Sequence, residues 1–464
     1  TATALDGIQT KGATEEGGDA VLESGSNNEQ FINELTAYLF YVDNGVNEDA
    51  YKFAAMKTVT SDGTNSVKTI EDIVVKVKAT AAGELSDTQL KVIFLANTKL
   101  ATPPSNLGDV KTAELEDLVD FSYVHMGGMR YYVPMFSQIV TIGGGSSYKL
   151  LAGTTYDNWV KGSTAPSIIY TNYAAVGAAH RVIEKTSGAE GWTEKSSYDP
   201  ASIPDADKIP LTRHVARVQL QAIDCDFKNN YANASFELKD VYIANASNTS
   251  LIYADAEPYS LDNAKAYSHG CSYNRDDYFL VNGSKNVASL HCEMDEGVLI
   301  AMTGHSHSSN LNADGSIDYN AKNWFSFNDQ TIRGDEQGRK DMPQFYVFEM
   351  KGDKDMPSDP GKSDTPSGYI QTMLILRGDW YPKGKTEGLG NDVVKKDRYY
   401  RIPIKQDAAS GIIGVQRNTI YKIYATITGE GSKDPDTSEL NACISFSIKV
   451  EPWTVITQTE TDVN

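Results

Sequence analysis

The sequence predicts an all-β protein with a few short helices, folded as two antiparallel β-sandwich domains in tandem. Three observations lead there. Short runs of β-branched and aromatic residues alternate with Gly, Asp, Asn and Pro turns along most of the chain. Tyrosine is the dominant aromatic, 26 Tyr against 14 Phe and 5 Trp, which suits strands. And 464 residues exceed one core at roughly 100–200 residues per domain, with a polar, proline-bearing break near 195–212 to divide them.

The elements follow in order. Residues 1–29 are small, acidic and glycine-rich, and are expected to form a flexible leader. Leu35, Ala37, Leu39 and Tyr41 then alternate as a strand, closed by turn chemistry at Asp43, Asn44 and Gly45. A second strand is expected over 70–77 and a third over 90–95, the latter bounded by the polar turn Asn97-Thr98-Lys99. Leu115, Leu118 and Val119 at helical spacing predict a short helix over 112–121. Residues 173–185 read as a helix or a buried strand. Pro200, Pro204 and Pro210 are expected to stop helices and ladders, which puts the domain boundary at about residue 210. Beyond it, strands are expected at 234–245, 277–281, 296–303, 344–350, 369–377, 398–404, 418–428 and 442–457. No fixed-period repeat points to a solenoid or propeller.

Charge excludes several function classes. With 62 acidic against 42 basic side chains, the net charge is −20. Phosphate neutralisation needs a basic face, so nucleic acid is not an expected partner. No run of 18 or more apolar residues is present, so no transmembrane helix is expected. The chain opens TATALDGIQTKG, without the basic and apolar regions of a signal peptide, which fits either a cytosolic protein or the mature form of an exported one; composition leans to the second.

No catalytic constellation stands out, and the protein is not expected to be an enzyme. His305 and His307 would point to one face of a strand and could form half of a metal site. Asn310, Asn312, Asp314 and Gly315 resemble the opening of a calcium loop, but Ala321 stands where the bidentate glutamate belongs. No cofactor is expected; a loop-bound Ca²⁺ at Asp314 is the alternative to a simple Asn-Ala-Asp-Gly turn. The run Gly143-Gly144-Gly145-Ser146 lacks the Lys-Ser/Thr of a phosphate-binding loop and reads as a hairpin or loop. Cys225, Cys271, Cys292 and Cys443 form no CxxC, and both free thiols and disulfides remain open.

The C-terminus is more specific. Asn418-Thr-Ile-Tyr421-Lys-Ile-Tyr-Ala-Thr-Ile-Thr leads through Gly429-Glu-Gly431 and a polar loop to Ala442-Cys-Ile-Ser-Phe-Ser-Ile-Lys-Val450-Glu451-Pro452-Trp453. This closing hairpin resembles that of the Bacteroidales fimbrillins, the subunits of type V pili, and is most similar to the shaft (major) subunit of the minor or short fimbriae. Segments around Val92–Asn97, Val133–Met135, Leu211–Val218, Phe236–Asn245 and Phe345–Glu349 agree in order, over about residues 30–457. Glu349-Met350 departs from the glutamate-asparagine pair expected after such a strand.

The resemblance implies transthyretin-like sandwiches and a cell-surface fimbria that supports adhesion and biofilm formation. It implies export as a lipoprotein to the outer membrane and removal of an N-terminal segment by a trypsin-like, Arg-specific protease. It also implies head-to-tail homopolymerisation by donor-strand exchange, with anchor and tip subunits and host or bacterial surface receptors as further partners. On this reading residues 30–210 carry the strand-acceptor groove, beside core residues Leu35, Leu39, Val92 and Phe94. Residues 211–453 form the second sandwich and 454–464 the donor strand. The tail suits that role. By the strand period of two, Trp453, Val455, Thr457, Thr459, Thr461 and Val463 share one face, with Thr454 and Ile456 on the other. Pro452 before it can end the preceding ladder. The first arginine is Arg130, so on this resemblance either Thr1 is already the processed N-terminus or cleavage uses Lys11; the first is expected, with an Arg before Thr1 in the encoded precursor. A tip or accessory fimbrillin, or a glycan-binding surface adhesin with exposed tyrosines, is the alternative.

Overall fold

The computed structural model describes residues 2–4, 29, 31–64, 66–67, 70, 73, 75, 85–86, 89–116, 132–143, 150–151, 168–171, 181–185, 192–194, 209–244, 246, 249–253, 291–301, 307–319, 321, 325–326, 343–351, 372–385, 394–404, 414–433 and 444–452. They are almost all strand and turn. The one α-helix among them is Leu107–Lys111, and short 3-10 turns lie at Glu48–Ala50, Asn229–Tyr231 and His307–Asn310.

Sheet I runs Ala2–Ala4, Ile209–Arg213, Met135–Ser137, Gln89–Ala96, Glu34–Tyr41, Phe53–Thr60, with Val140–Gly143 also paired to Gln89–Ala96. Its centre is Glu34–Tyr41 between Gln89–Ala96 and Phe53–Thr60, antiparallel on both sides. Leu35, Ala37 and Leu39 fall on one face, Tyr38 and Phe40 on the other, and all are buried. Sheet II pairs Val215–Cys225 with Gln344–Phe348 and Phe325–Ser326 on one side and Thr419–Ile427 on the other, followed by Ile444–Pro452. Sheet III is His291–Ala301, Ser235–Ala244, Met373–Tyr381, Lys395–Pro403.

Sheets II and III pack as a sandwich. Val218, Leu220, Tyr421 and Ile423 of sheet II share one core with Phe236, Leu238, Leu376, Trp380 and Tyr400 of sheet III. Burying each large side chain contributes about 1.5–3 kcal/mol, offset by chain entropy. The other core is built on sheet I, but Tyr346, Phe348 and Ile420 of sheet II reach into it, as do Val215, Ile252 and Tyr253.

Several expectations are corrected. The helix read at 112–121 lies earlier, at Leu107–Lys111, where Asn106 and Asp109 form a reciprocal capping box; Glu114–Glu116 is a strand paired with Thr249–Leu251. Ile70, Ile73 and Val75, the described residues of the expected 70–77 strand, lie in no strand and act as packing, with Ile70 fully buried. Pro210 does not stop the ladder. It sits inside Ile209–Arg213 opposite only Thr3, near the sheet's edge, where a missing N–H is tolerated. The expected start of the second unit at 211 therefore falls inside a sheet I strand, and the chain crosses to sheet II at His214. Not every pairing is antiparallel: Val215–Cys225 runs parallel to Thr419–Ile427, and Ala2–Ala4 parallel to Ile209–Arg213. Residues 1–29 are not uniformly a loose leader, because Ala2–Ala4 is a strand and Glu29 is fully buried. The strand expected at 277–281 lies outside the described residues.

Asn97 is the brace of sheet I. It holds φ at +56°, and its amide donates to the carbonyls of Phe31 (2.8 Å) and Val133 (2.9 Å) while accepting from the Asn33 amide (2.7 Å). Asn97→Ala loses these bonds and strains the backbone, so it is expected to cost about 2–4 kcal/mol in urea unfolding. A cost under about 1 kcal/mol contradicts this role.

Candidate functional site

The four expected acceptor-core residues come together. Leu39 stands opposite Val92, and Phe94 stands opposite Ala37 between Leu35 and Leu39, so all four share one face of sheet I. Leu35, Val92 and Phe94 are fully buried and Leu39 nearly so, in one core with Met135 and Leu211. Among the described residues they are packed inside this core. Among the described residues, sheet I is bounded by Phe53–Thr60 on one flank and by Ile209–Arg213 on the other, where Ala2–Ala4 covers three positions. The expected donor residues Trp453, Thr454, Val455, Ile456, Thr457, Thr459, Thr461 and Val463 lie outside the described residues, as do Thr1, His305, Cys271 and Cys443. The last described strand ends at Pro452, opposite Thr419.

Two of the histidine and calcium-loop candidates, His307 and Asp314, make hydrogen bonds within the described residues. His307 Nδ1 is 2.9 Å from the buried Asp224 carboxylate, which also accepts from Asn310 Nδ2 at 2.7 Å. Asp314 accepts from the amide and hydroxyl of Ser316, an Asx turn that holds its pKa below the usual carboxylate value. Farther along, Tyr319 packs on Tyr424, ring centroids 4.6 Å apart. Residues 307–319 and Ala321 thus lie as a strap across the outer face of sheet II. Among the described residues, no three His, Cys, Asp or Glu groups are gathered as metal ligands. Cys225 is a buried free thiol, pushed up to about 12 by burial and then by Asp224 and Asp226.

The densest polar cluster lies where sheet I meets sheet II. The His214 amide donates to the Pro134 carbonyl (3.0 Å), and its Nε2 bonds the Ile252 carbonyl (2.7 Å). Its ring lies 4.9 Å from Phe136, and the Arg417 guanidinium lies 5.1 Å from the same phenyl ring. Arg417 Nη2 bonds Ser250 Oγ (3.2 Å) and the Glu349 carboxylate, and Nη1 reaches the Leu251 carbonyl at 3.4 Å. Arg213 Nη1 bonds Asn418 Oδ1 (3.3 Å). Beside them, Arg217 donates to both oxygens of Glu29 at 2.9 and 3.0 Å, and the Tyr346 hydroxyl donates to the same carboxylate. Sequence reasoning missed Glu29, Arg217, Glu349 and Arg417 as a group. The signal was faint: charged residues within or beside apolar runs, which are rarely buried without a partner.

The family model for "Major fimbrial subunit protein (FimA)" matches residues 5–203. No curated protein is significantly similar in sequence. Among solved structures, a putative cell adhesion protein from Parabacteroides distasonis is 20% identical, with 92% of this chain and 95% of that one covered at a TM-score of 0.48. A second from the same organism is 15% identical, covering 99% and 97%, TM-score 0.49. A fimbrilin from Porphyromonas gingivalis is 15% identical, covering 98% and 99%, TM-score 0.47.

Burial, and then the Arg417 charge, hold His214 down to about 3 from an ordinary 6.5. The unfolded chain therefore binds a proton that the folded one refuses. Stability is expected to fall as pH drops from about 6.5 towards 3, by up to about 1.4 kcal/mol per pH unit from this group. Urea unfolding of the wild type and His214→Gln at pH 7 and pH 5 checks it: the substitution should flatten the dependence, and parallel curves contradict it.

Proposed function

We propose that this fimbrillin-family chain, matched to the major fimbrial subunit model over residues 5–203, is a shaft subunit that polymerises head to tail by donating its C-terminal strand. The match to a fimbrial subunit model favours a structural role in a fimbria. That match is the observation that carries the reading. The step to strand donation rests on two features of the chain itself. Eleven residues rich in β-branched side chains follow Trp453. And Ile209–Arg213 has a described neighbour over three positions only on its outer side.

An incoming strand would take the place of Ala2–Ala4 beside Ile209–Arg213 and supply main-chain hydrogen bonds to a strand whose inward side chain, Leu211, already belongs to the core. Leu35, Leu39, Val92 and Phe94 form the floor of that core. Two sandwich units then have separate tasks: residues up to about 213 accept, and the second unit, from Val215 to Pro452, presents the tail. Maturation by an Arg-specific protease, a lipoprotein precursor, outer-membrane assembly with anchor and tip subunits, and a role in biofilm complete the proposal. The net charge of −20 keeps subunits apart before assembly, so the polymer is held by strand pairing and burial.

Removal of residues 454–464 is expected to leave a folded monomer that forms no polymer by electron microscopy and sedimentation. Polymers of normal length from the truncated chain contradict strand donation. A truncated chain that still caps full-length filaments is the behaviour expected of an intact acceptor. The wild-type polymer is also expected to withstand heated detergent that dissociates the monomer's fold, since each donated strand binds only the folded acceptor; equal melting of the two counts against it.

A further inference from the structure

Glu29 stands three residues before Ile32, where the sheet I core begins, yet its carboxylate bonds Arg217 and Tyr346 of sheet II. Arg217 and Tyr346 are direct cross-strand neighbours, on Val215–Cys225 and Gln344–Phe348. Glu29 is fully buried and Arg217 nearly so. A carboxylate taken out of water in this way needs its cation held in place, because separating the pair leaves two unmatched charges in a low dielectric.

Arg417 makes the reverse connection. It precedes the Thr419–Ile427 strand of sheet II and pairs with Glu349, and its guanidinium lies over Phe136 of sheet I. It also holds Ser250 and Leu251, whose strand pairs with Glu114–Glu116 from the first half of the chain. One ion pair thus carries a first-half residue into sheet II, and the other leans a second-half cation on sheet I. Apolar contacts between the sheets are non-directional and tolerate sliding. The ion pairs are not: a rotation of one sheet against the other pulls Glu29 from Arg217 or Arg417 from Phe136 and Ser250.

We propose that the Glu29–Arg217 and Glu349–Arg417 pairs are a latch that sets the angle between sheet I and the sandwich of sheets II and III, with Glu29 as its fastening residue. The latch belongs to the single chain and does not depend on how that chain assembles. Buried ion pairs of this kind specify one arrangement more than they add stability. The latch then accounts for the full burial of Glu29 in an acidic, glycine-rich segment.

The test is the spread of distance between the two halves. Spin labels are attached through a non-cysteine amino acid at exposed Val46 and Tyr231, in the full chain. The wild type is expected to give one narrow distance distribution, and the E29Q/E349Q variant one at least twofold wider, with near-UV circular dichroism unchanged. An unchanged width in the folded double variant overturns the latch, as does a broad wild-type distribution. Should the double variant not fold, Tyr346→Phe removes one bond to Glu29 and leaves the ion pair. It is then expected to widen the distribution partly, and an unaltered width overturns the proposal.

Discussion

The structure depends on one stretch of chain serving two sheets. Ile209–Arg213 completes sheet I and Val215–Cys225 forms the centre of sheet II, with only His214 between them. That residue is fully buried, so its backbone and ring must find partners inside the protein. They find Pro134 and Ile252, one from each half of the sequence. The rest of the junction follows from this crossing. Phe136 and Arg417 close around the imidazole, and Tyr346, Phe348 and Ile420 enter the core of sheet I. A connection this short leaves the two halves little freedom to choose another arrangement.

Much of the fold was legible because strand periodicity is local. Leu35, Ala37 and Leu39 alternate in the sequence and lie together on one face, and the runs at 234–245, 398–404 and 418–428 are strands within a few residues of where they were read. Pairing was not legible. That Val215–Cys225 would run parallel to Thr419–Ile427 depends on contacts some two hundred residues apart. Local chemistry misled where a competing term won. Leu115 has helical spacing with Leu118, yet the Asn106 and Asp109 cap starts the helix earlier, and pairing with Thr249–Leu251 claims Leu115 for a strand. Pro210 looked like a stop because the rule against proline in ladders holds for sheet interiors, and it sits near an edge.

The candidate site was legible in part. Leu35, Leu39, Val92 and Phe94 lie in one core, since apolar residues on central strands of a sheet meet by register. Buried ion pairs carry no such period. Glu29 is one acid in an acidic leader, and nothing near it in sequence names Arg217 or Tyr346. The same holds for Asp224, whose contact with His307 and Asn310 turns a stretch that resembled a metal loop into a strap. The shared core and the short crossing together join the two halves of the described chain tightly.

Hydrogen exchange at the backbone amides of Ile209, Leu211, Thr212 and Arg213, compared between monomer and assembled fimbria, tests strand donation most directly. The account predicts that these amides become strongly protected in the fimbria. Identical exchange in the two states would contradict it.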